Sequence, residues 1–208
     1  YYFISSRVKP EIKYDLIIQS LYVKPGSRYR VTDTEQTQAH LLALKVYRLV
    51  NISYNDSKGN ENLQGMEQML DCNIQLTLLS QQSYKIELEG TNSAGNLGGA
   101  LNLIYQHKNL LHGAELFSMK LKGAYGALRQ QNNKLSSAQE YQFETSLRLP
   151  EFMVPFINTE NFVKKYNPST TIVAAYDYQK LPVYTRTVAN ATFGYNWKAG
   201  FYQEHIFD

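Results

Sequence analysis

Hydrophobic residues recur with two different periods along the chain, and the change of period divides it in two. Before about residue 81 the apolar positions fall mostly at helical spacing, whereas from Tyr84 onward they alternate with polar ones almost throughout. Helical spacing predicts amphipathic helices, and alternation predicts strands with one apolar face. We therefore expect a helix-containing domain over residues 1–81 and a domain of antiparallel strands over residues 82–208.

The first domain begins with a strand and two helices. Residues 1–5 predict a short aromatic strand. A helix opens at Pro10, since proline is tolerated in the first helical turn, and the next opens at Thr32-Asp33-Thr34-Glu35, which has the form of a capping box. The apolar stripes that predict these helices are Ile12, Leu16, Ile17 and Leu21 in the first and Ala39, Leu42, Ala43, Val46 and Leu49 in the second.

Two strands complete the first domain. Residues 50–54 switch from helical spacing to alternation, a polar loop follows, and Leu70 to Leu79 supplies the partner strand. Cys72 within that strand is the one cysteine of the chain, which excludes an internal disulfide, and we expect it to be a buried structural thiol. The predicted order is therefore strand, helix, helix, strand, strand.

Six segments of the second domain alternate apolar and polar residues. In the first of them apolar residues alternate with charged ones until Gly90, which is expected to end the strand. The glycine-rich run from Gly95 to Gly99 is expected to be a hairpin turn. The six predicted strands are residues 84–90, 101–106, 117–125, 141–149, 172–178 and 189–197.

Such alternation fits a soluble antiparallel sheet as well as the wall of a membrane β-barrel. Three features favour the barrel: aromatic residues lie near strand ends, nearly every strand carries charge opposite its apolar face, and no helix is predicted after residue 90. The core of a β-sandwich would not accept that charged face, whereas the water-filled lumen of a barrel would.

Composition narrows the classes of function. The chain has 17 Tyr and 9 Phe but one Trp, and tyrosine suits carbohydrate sites, protein interfaces and the aromatic girdles of membrane barrels. Its 21 Lys and Arg are scattered and nearly balanced by 18 Asp and Glu, so we expect no binding to nucleic acid. No apolar run reaches the roughly 20 residues of a membrane-spanning helix.

The order of elements and several short motifs resemble the BamA/TamA-type family of outer-membrane protein assembly factors, in particular its TamA-like and TamL-like members. The first domain resembles a POTRA (polypeptide-transport-associated) domain, with Lys24-Pro25-Gly26 before its second helix and Tyr47 to Ile52 after it. Glu89 to Gly98, Tyr105 to Glu115 and Lys122 to Tyr125 resemble the start of the family's barrel.

The resemblance implies an α+β POTRA domain in the periplasm, followed by about the first six of sixteen strands of a transmembrane barrel in the bacterial outer membrane. It implies a factor for protein insertion or translocation. Its partners would be unfolded outer-membrane clients, membrane lipid, the remaining strands of the same barrel and a periplasmic assembly partner. Because six strands cannot close such a barrel, we expect the chain to be part of a longer protein.

We expect binding through backbone groups at two exposed strand edges, the mode called β-augmentation. By the resemblance, the first barrel strand is the gate strand that pairs with client strands, and the edge strand of the POTRA domain also handles clients. The predicted residues are Tyr84, Lys85, Ile86, Glu87, Leu88, Glu89 and Gly90 in the gate strand and Val50, Asn51, Ile52, Ser53 and Tyr54 in the POTRA edge strand.

No arrangement of residues predicts catalysis, a metal or a cofactor. His107 and His112 straddle a predicted turn, and Gly95 to Gly99 precedes no helix that could cradle phosphate. Glu87 and Glu89 would serve a glycoside hydrolase only if they converged on a closed pocket. A non-enzymatic alternative is a soluble, Tyr-rich sheet that binds carbohydrate, and detergent dependence would distinguish it from a membrane barrel.

Overall fold

The structure of the protein is a computed structural model that describes residues 1–4, 12–57, 69–93, 96–129, 135–153, 166, 168–200 and 203–207. The chain divides into two compact units, Tyr1–Ser80 and Gln81–Asp208. None of the helices in the described ranges is long and apolar enough to cross a membrane.

The described residues of the first unit form two helices and a two-stranded antiparallel sheet. Its elements are α1 (Tyr14–Gln19), α2 (Val31–Ala43), β1 (Tyr47–Asp56) and β2 (Leu70–Leu78). Burial raises the pKa of Tyr47, at the start of β1, to about 12. The core of the unit is formed by Ile12, Ile17, Leu21, Leu41, Leu44, Val46, Tyr47 and Val50.

Thr37 of α2 holds the segment that follows α1. Its side chain is fully buried, and its hydroxyl oxygen accepts the backbone N–H groups of Tyr22 and Val23 at 2.9 and 3.3 Å. One turn further along α2, Nε2 of His40 lies 3.1 Å from the Tyr22 hydroxyl, and burial lowers the pKa of this histidine. Polar contacts therefore join α2 to this segment in addition to apolar packing.

The predicted strand at the N-terminus is absent from residues 1–4, the part of it that the structure describes. Side chains hold this segment instead of backbone pairing. The Tyr1 hydroxyl donates to the Val23 carbonyl at 3.0 Å, and the ring of Phe3 packs 4.5 Å from that of Tyr14. Pro10 lies outside the described residues, but the predicted helix start there is wrong, because Ile12 and Lys13 are not helical and α1 begins at Tyr14 after its N-cap Lys13.

The second helix begins and faces the core differently from the prediction. Its N-cap is Arg30, without a side-chain cap hydrogen bond, and Thr32 lies within the first turn, so the capping-box prediction is wrong. The predicted apolar stripe is also wrong, because Leu42 is 40% exposed whereas Leu41 is fully buried. The buried face contains Thr37, and a count of apolar positions does not register a buried threonine.

In the described part of the second unit, seven strands form an antiparallel sheet, and each strand pairs with the next along the chain. The described residues thus contain one strand more than the six that alternation predicted, because the last strand is short. The strands are β3 (Gln82–Ser93), β4 (Asn96–Lys108), β5 (Leu116–Arg129), β6 (Leu135–Leu149), β7 (Ser169–Lys180), β8 (Thr185–Gly200) and β9 (Gln203–Phe207).

Gly98 and Gly99 lie within β4, contrary to the predicted turn over residues 95–99, and Gly95 lies outside the described residues. Gly90 pairs with Gly99 and Thr91 with Gly98, so β3 does not end at Gly90. A Cβ atom on Gly98 would lie 2.7 Å from Oγ1 of Thr91. This glycine therefore lets two strands approach closely, which is a common reason for glycine within a sheet.

The sheet has one apolar and one polar face, because cross-strand partners point to the same side. The register places Leu103, Met119, Leu121 and Leu147 together on one face and Lys120, Lys122, Glu144 and Arg148 on the other, as the alternation predicts. The apolar face also carries Tyr84, Ile86, Leu88, Leu101, Tyr141, Phe143, Tyr176 and Phe193, and the polar face Lys85, Glu87, Glu89, Asn102, Glu140, Gln142, Asp177 and Asn190.

The apolar face is the more exposed of the two. Leu101 and Leu103 are 41% and 39% exposed, whereas Asn102 between them is 3% exposed. On β6, Tyr141 and Phe143 are likewise exposed while Gln142 is half-buried. This is the reverse of the burial that water favours for a soluble sheet.

Aromatic side chains cluster where β7 begins and β8 ends. The ring of Phe152 lies 5.0 Å from that of Tyr195 and 5.9 Å from that of Trp197, which stacks on His205 at 5.3 Å. The Tyr195 hydroxyl donates to the Met153 carbonyl at 3.1 Å. The cluster combines apolar rings with polar tips, as residues at a boundary between apolar and aqueous surroundings do.

Candidate strand-pairing edge

The predicted gate strand lies in β3, the first strand of the seven-stranded sheet. One edge of β3 pairs with β4 from Gln82↔His107 to Ser93↔Asn96. No strand among the described residues pairs with its other edge. The residues from Tyr84 to Gly90 therefore lie along an edge that is open in this part of the chain.

The hydrogen-bond pattern shows which β3 residues turn their backbone outward. The N–H of Lys108 donates to the Gln81 carbonyl at 2.7 Å, which makes these two residues a hydrogen-bonded pair next to the β3–β4 ladder. Hydrogen-bonded and non-bonded pairs alternate along an antiparallel ladder. Lys85, Glu87 and Glu89 therefore bond to β4, whereas Tyr84, Ile86, Leu88 and Gly90 direct their N–H and C=O groups away from it.

The residues with outward backbone groups also carry the apolar side chains of the strand. Tyr84, Ile86 and Leu88 are 74%, 70% and 82% exposed, more than the apolar residues opposite them on β4. The Tyr84 ring packs 4.9 Å from that of Tyr105, its cross-strand partner. The open edge thus combines unpaired backbone groups with an exposed apolar stripe.

The polar face of β3 carries three charged residues. Lys85 forms an ion pair with Glu87 at 2.5 Å. The Glu89 carboxylate accepts the side-chain N–H of Asn102 on β4 at 2.7 Å. Glu87 and Glu89 thus have separate partners, and Glu89 is exposed on the sheet face, whereas a hydrolase would require the two carboxylates to converge on a closed pocket.

The turn between β4 and β5 is held by a buried carboxylate. Oε2 of Glu115 accepts the backbone N–H groups of Leu111 and Gly113 at 3.0 and 3.2 Å, and Glu115 is 6% exposed. Oδ1 of Asn109 accepts the N–H of Ala114 at 3.0 Å. These bonds fix the start of β5 relative to β4, the strand that pairs with β3.

The second predicted site, Val50 to Tyr54, lies in β1. The bond from the N–H of Ser57 to the Met69 carbonyl makes Ser53 a bonded partner of Asn73, so Val50, Ile52 and Tyr54 direct their backbone groups away from β2. The side-chain amide of Gln38 already donates to the Val50 carbonyl at 3.1 Å. Incoming backbone would therefore compete with Gln38 at that position.

Side chains close to the β1 edge differ from the prediction in one respect. Cys72 of β2, opposite Tyr54, is exposed and not buried, because in the described residues helix α2 packs against β1. The Tyr54 hydroxyl lies 2.6 Å from Oγ1 of Thr34, and burial raises the pKa of this tyrosine. In the described ranges no three His, Cys, Asp or Glu residues lie where they could hold a metal ion.

Comparisons with known proteins find distant structural likenesses. No family model and no curated protein matches the chain. It is similar to BamA from Haemophilus ducreyi lacking POTRA domains 1–3, with a TM-score of 0.37 and 10% identity over 92% of this chain and 43% of that one. It is also similar to CdiB from Acinetobacter baumannii, with a TM-score of 0.46 and 12% identity over 93% and 42%. The chain thus spans less than half the length of either.

Both TM-scores are below 0.5, so these likenesses carry no argument about function. The described residues are mostly antiparallel strands with few helices, an arrangement consistent with part of a β-barrel. That the first unit is a POTRA domain remains a prediction. The residues of the predicted gate strand lie in β3, and their role in client binding stays a prediction. Sequence reasoning missed Asn102 and Glu115, since a single polar residue within a strand or turn does not reveal its hydrogen-bond partners.

Proposed function

We propose that this chain is part of an outer-membrane factor for protein assembly or translocation, whose first unit lies in the periplasm. The factor is not an enzyme. It binds unfolded client proteins by adding their strands to the open edge of β3. The observation that carries the proposal is the coincidence, on Tyr84, Ile86 and Leu88, of outward backbone groups with exposed apolar side chains.

The inverted exposure of the sheet supports a membrane location. An apolar face that spans seven strands is far larger than the patches that soluble monomers leave in water. Lipid tails would cover this face in a bilayer, and the charged face would line a water-filled lumen. Both faces of the sheet would then be solvated by a medium of matching polarity.

The same environment supplies a driving force for pairing. An unsatisfied backbone N–H or C=O group in hydrocarbon costs several kcal/mol, so the outward groups of β3 need a partner within the membrane. A client strand provides these hydrogen bonds and buries its own apolar side chains in lipid. Exchange of one strand for another at this edge requires no nucleotide hydrolysis.

The periplasmic unit would give clients a first contact at β1. Ile52 and Tyr54 direct backbone groups outward, whereas the Val50 carbonyl is held by Gln38. Asn51 and Ser53 bond to β2 and would remain in place. Client binding here is therefore expected along Ile52 to Asp56, the part of the strand beyond Gln38.

Proline substitutions in β3 test the proposal, because proline lacks the backbone N–H. Ile86→Pro and Leu88→Pro remove donors that face outward, so client crosslinking to the edge should fall strongly while the sheet remains folded. Glu87→Pro, a matched control, removes a donor that bonds to β4 and should loosen the sheet itself. Ile86→Val should be nearly silent. The measurement is disulfide crosslinking of a stalled client to cysteines placed along Tyr84 to Gly90 in the complete protein.

Two results would contradict the proposal. Equal crosslinking from cysteines in the interior strand β6, over Phe143 to Leu149, would show that clients do not pair with β3. Unchanged crosslinking after Leu88→Pro would show that backbone donors of this edge are not used. Either result removes the gate assignment.

A further inference from the structure

Of the carboxylates near the open edge, Glu89 forms no ion pair among the described residues, although Lys122 on β5 is close enough to attract it. Lys85 pairs with Glu87, and Lys122 pairs with Glu140 at 2.9 Å. Glu89 accepts a hydrogen bond from the neutral amide of Asn102, and no ion pair to it occurs among the described residues. Glu89 is thus a carboxyl group on the edge strand whose one described hydrogen-bond donor is a neutral amide.

Asn102 beside it has an unused acceptor. The residue is 3% exposed, its Nδ2 donates to Glu89, and its Oδ1 has no hydrogen-bond partner. A buried carbonyl oxygen without a donor is costly, and such groups are rare in folded proteins. Two hydrogen-bond acceptors therefore lie side by side on the polar face: the carboxylate of Glu89 on the edge strand β3 and Oδ1 of Asn102 on the adjacent strand β4.

The charges around this pair favour a cation. Lys85 and Lys122 are outnumbered by Glu87, Glu89 and Glu140, and Asp177 on β7 is accompanied by Arg186 of β8 in the same polar groove. A metal ion does not fit, since the described residues offer no set of three acidic, His or Cys ligands. The arrangement suits a cation that donates several hydrogen bonds, as the guanidinium of arginine does.

We propose that the β3 edge selects client strands that carry an arginine on their lumen-facing side, opposite Glu89. This inference rests on the proposed function, since it requires a client strand to pair with β3. Strands in a sheet lie about 4.8 Å apart, and opposed side chains on one face touch. The guanidinium donates to the Glu89 carboxylate and, reaching past it, to Oδ1 of Asn102. Apolar residues of the client alternate with the arginine and extend the row of Ile86 and Leu88.

Peptide binding to the complete protein in detergent tests this preference. Three fluorescent ten-residue peptides share apolar residues at alternate positions and carry arginine, citrulline or glutamate at the others, so that every register offers the same group to Glu89. Citrulline keeps the shape of arginine without its charge. Binding is measured by fluorescence anisotropy. Each peptide also carries one terminal cysteine, and its oxidation by added oxidant to a disulfide with Ser83→Cys, in a protein with Cys72→Ser, shows whether a bound peptide lies on β3.

We expect the arginine peptide to bind about ten-fold more tightly than the citrulline peptide, because a charge-assisted hydrogen bond contributes about that factor. The glutamate peptide should bind most weakly. Glu89→Gln, which can still accept the bond from Asn102, should abolish the difference between arginine and citrulline. Glu144→Gln on the same face of β6 is the matched control and should leave the ten-fold difference intact.

The outcomes separate this inference from the proposed function. If all peptides bind with equal affinity and are captured at Ser83→Cys, clients pair with β3 without selecting arginine. The arginine preference is then wrong, whereas the strand-pairing function stands. If no peptide is captured there, the strand-pairing function fails as well. If the preference for arginine survives in Glu89→Gln, it reflects general attraction to an acidic lumen, and the assigned site is wrong.

Discussion

Single residues show how a correct helix prediction can rest on the wrong contacts. The sequence Thr32 to Glu35 has the form of a capping box with Thr32 as N-cap, yet the N-cap is Arg30, two residues earlier, and it makes no side-chain cap hydrogen bond. The threonine that holds the neighbouring segment is Thr37, whose buried hydroxyl oxygen accepts two backbone N–H groups. Local sequence cannot identify this role, because the two donors come from a segment about 15 residues away.

Replacing Thr37 by valine should destabilise the first unit by about 1–3 kcal/mol. Valine matches the shape of threonine but removes the buried hydroxyl oxygen that accepts the N–H groups of Tyr22 and Val23. Thr32→Ala should change the free energy of unfolding far less, since Thr32 makes no cap bond. Urea unfolding followed by circular dichroism of the helices measures both. A larger effect at Thr32 would contradict the assigned roles.

Buried polar residues in the sheet were equally hidden from the sequence. Alternation fixes which side of the strand Asn102 occupies, but only the register places its amide beside Glu89. The turn around Glu115 likewise depends on positive φ angles at Asn109, His112 and Ala114, none of them glycine. Such positions follow from the assembled backbone and not from residue preferences.

At the scale of elements, alternation predicted six of the sheet's strands because charged and apolar side chains lie on opposite faces. The prediction failed in segments that alternate weakly or are short. Gly98 and Gly99 carry no side chain to show a face, so their strand was read as a turn, and β9 has five residues. The N-terminal strand was predicted from aromatic content, which here serves side-chain packing on α1.

A lysine on the apolar face of β5 should destabilise the sheet far more than a lysine on its polar face. Leu121→Lys places an ammonium on the apolar face and should cost about 2–4 kcal/mol if that face meets lipid near the bilayer midplane. Ala124→Lys on the polar face, opposite Glu140, should cost little. Unfolding by urea in lipid vesicles measures the two values. Equal costs would show that the apolar face does not contact lipid.

For the strand unit as a whole, two aromatic rows bound the apolar face. On β7 and β8 one row contains Tyr178, whose ring is 6.3 Å from that of Tyr141, and the other contains Tyr195, which pairs with Thr170. From residue 178 to residue 170 is eight residues, or about 27 Å along the strand. With a tilt of roughly 40° this spans about 21 Å, close to the apolar band of about 25 Å in membrane barrels.

Spin labels along β8 can test this band, because Thr187, Ala191 and Tyr195 lie four residues apart on the apolar face and pair with Tyr178, Ala174 and Thr170 of β7. In the complete protein reconstituted in lipid, a label at Ala191 should be deepest, with high oxygen and low nickel-chelate accessibility, and labels at Thr187 and Tyr195 should be shallower. A label at Thr192, on the polar face, should contact water and serves as the control.

A soluble carbohydrate-binding sheet would give a different result. The protein would stay monodisperse without detergent, and the labels at Ala191 and Thr192 would both be accessible to the water-soluble nickel chelate. The depth profile along β8 therefore decides between a sheet that faces lipid and one that faces water.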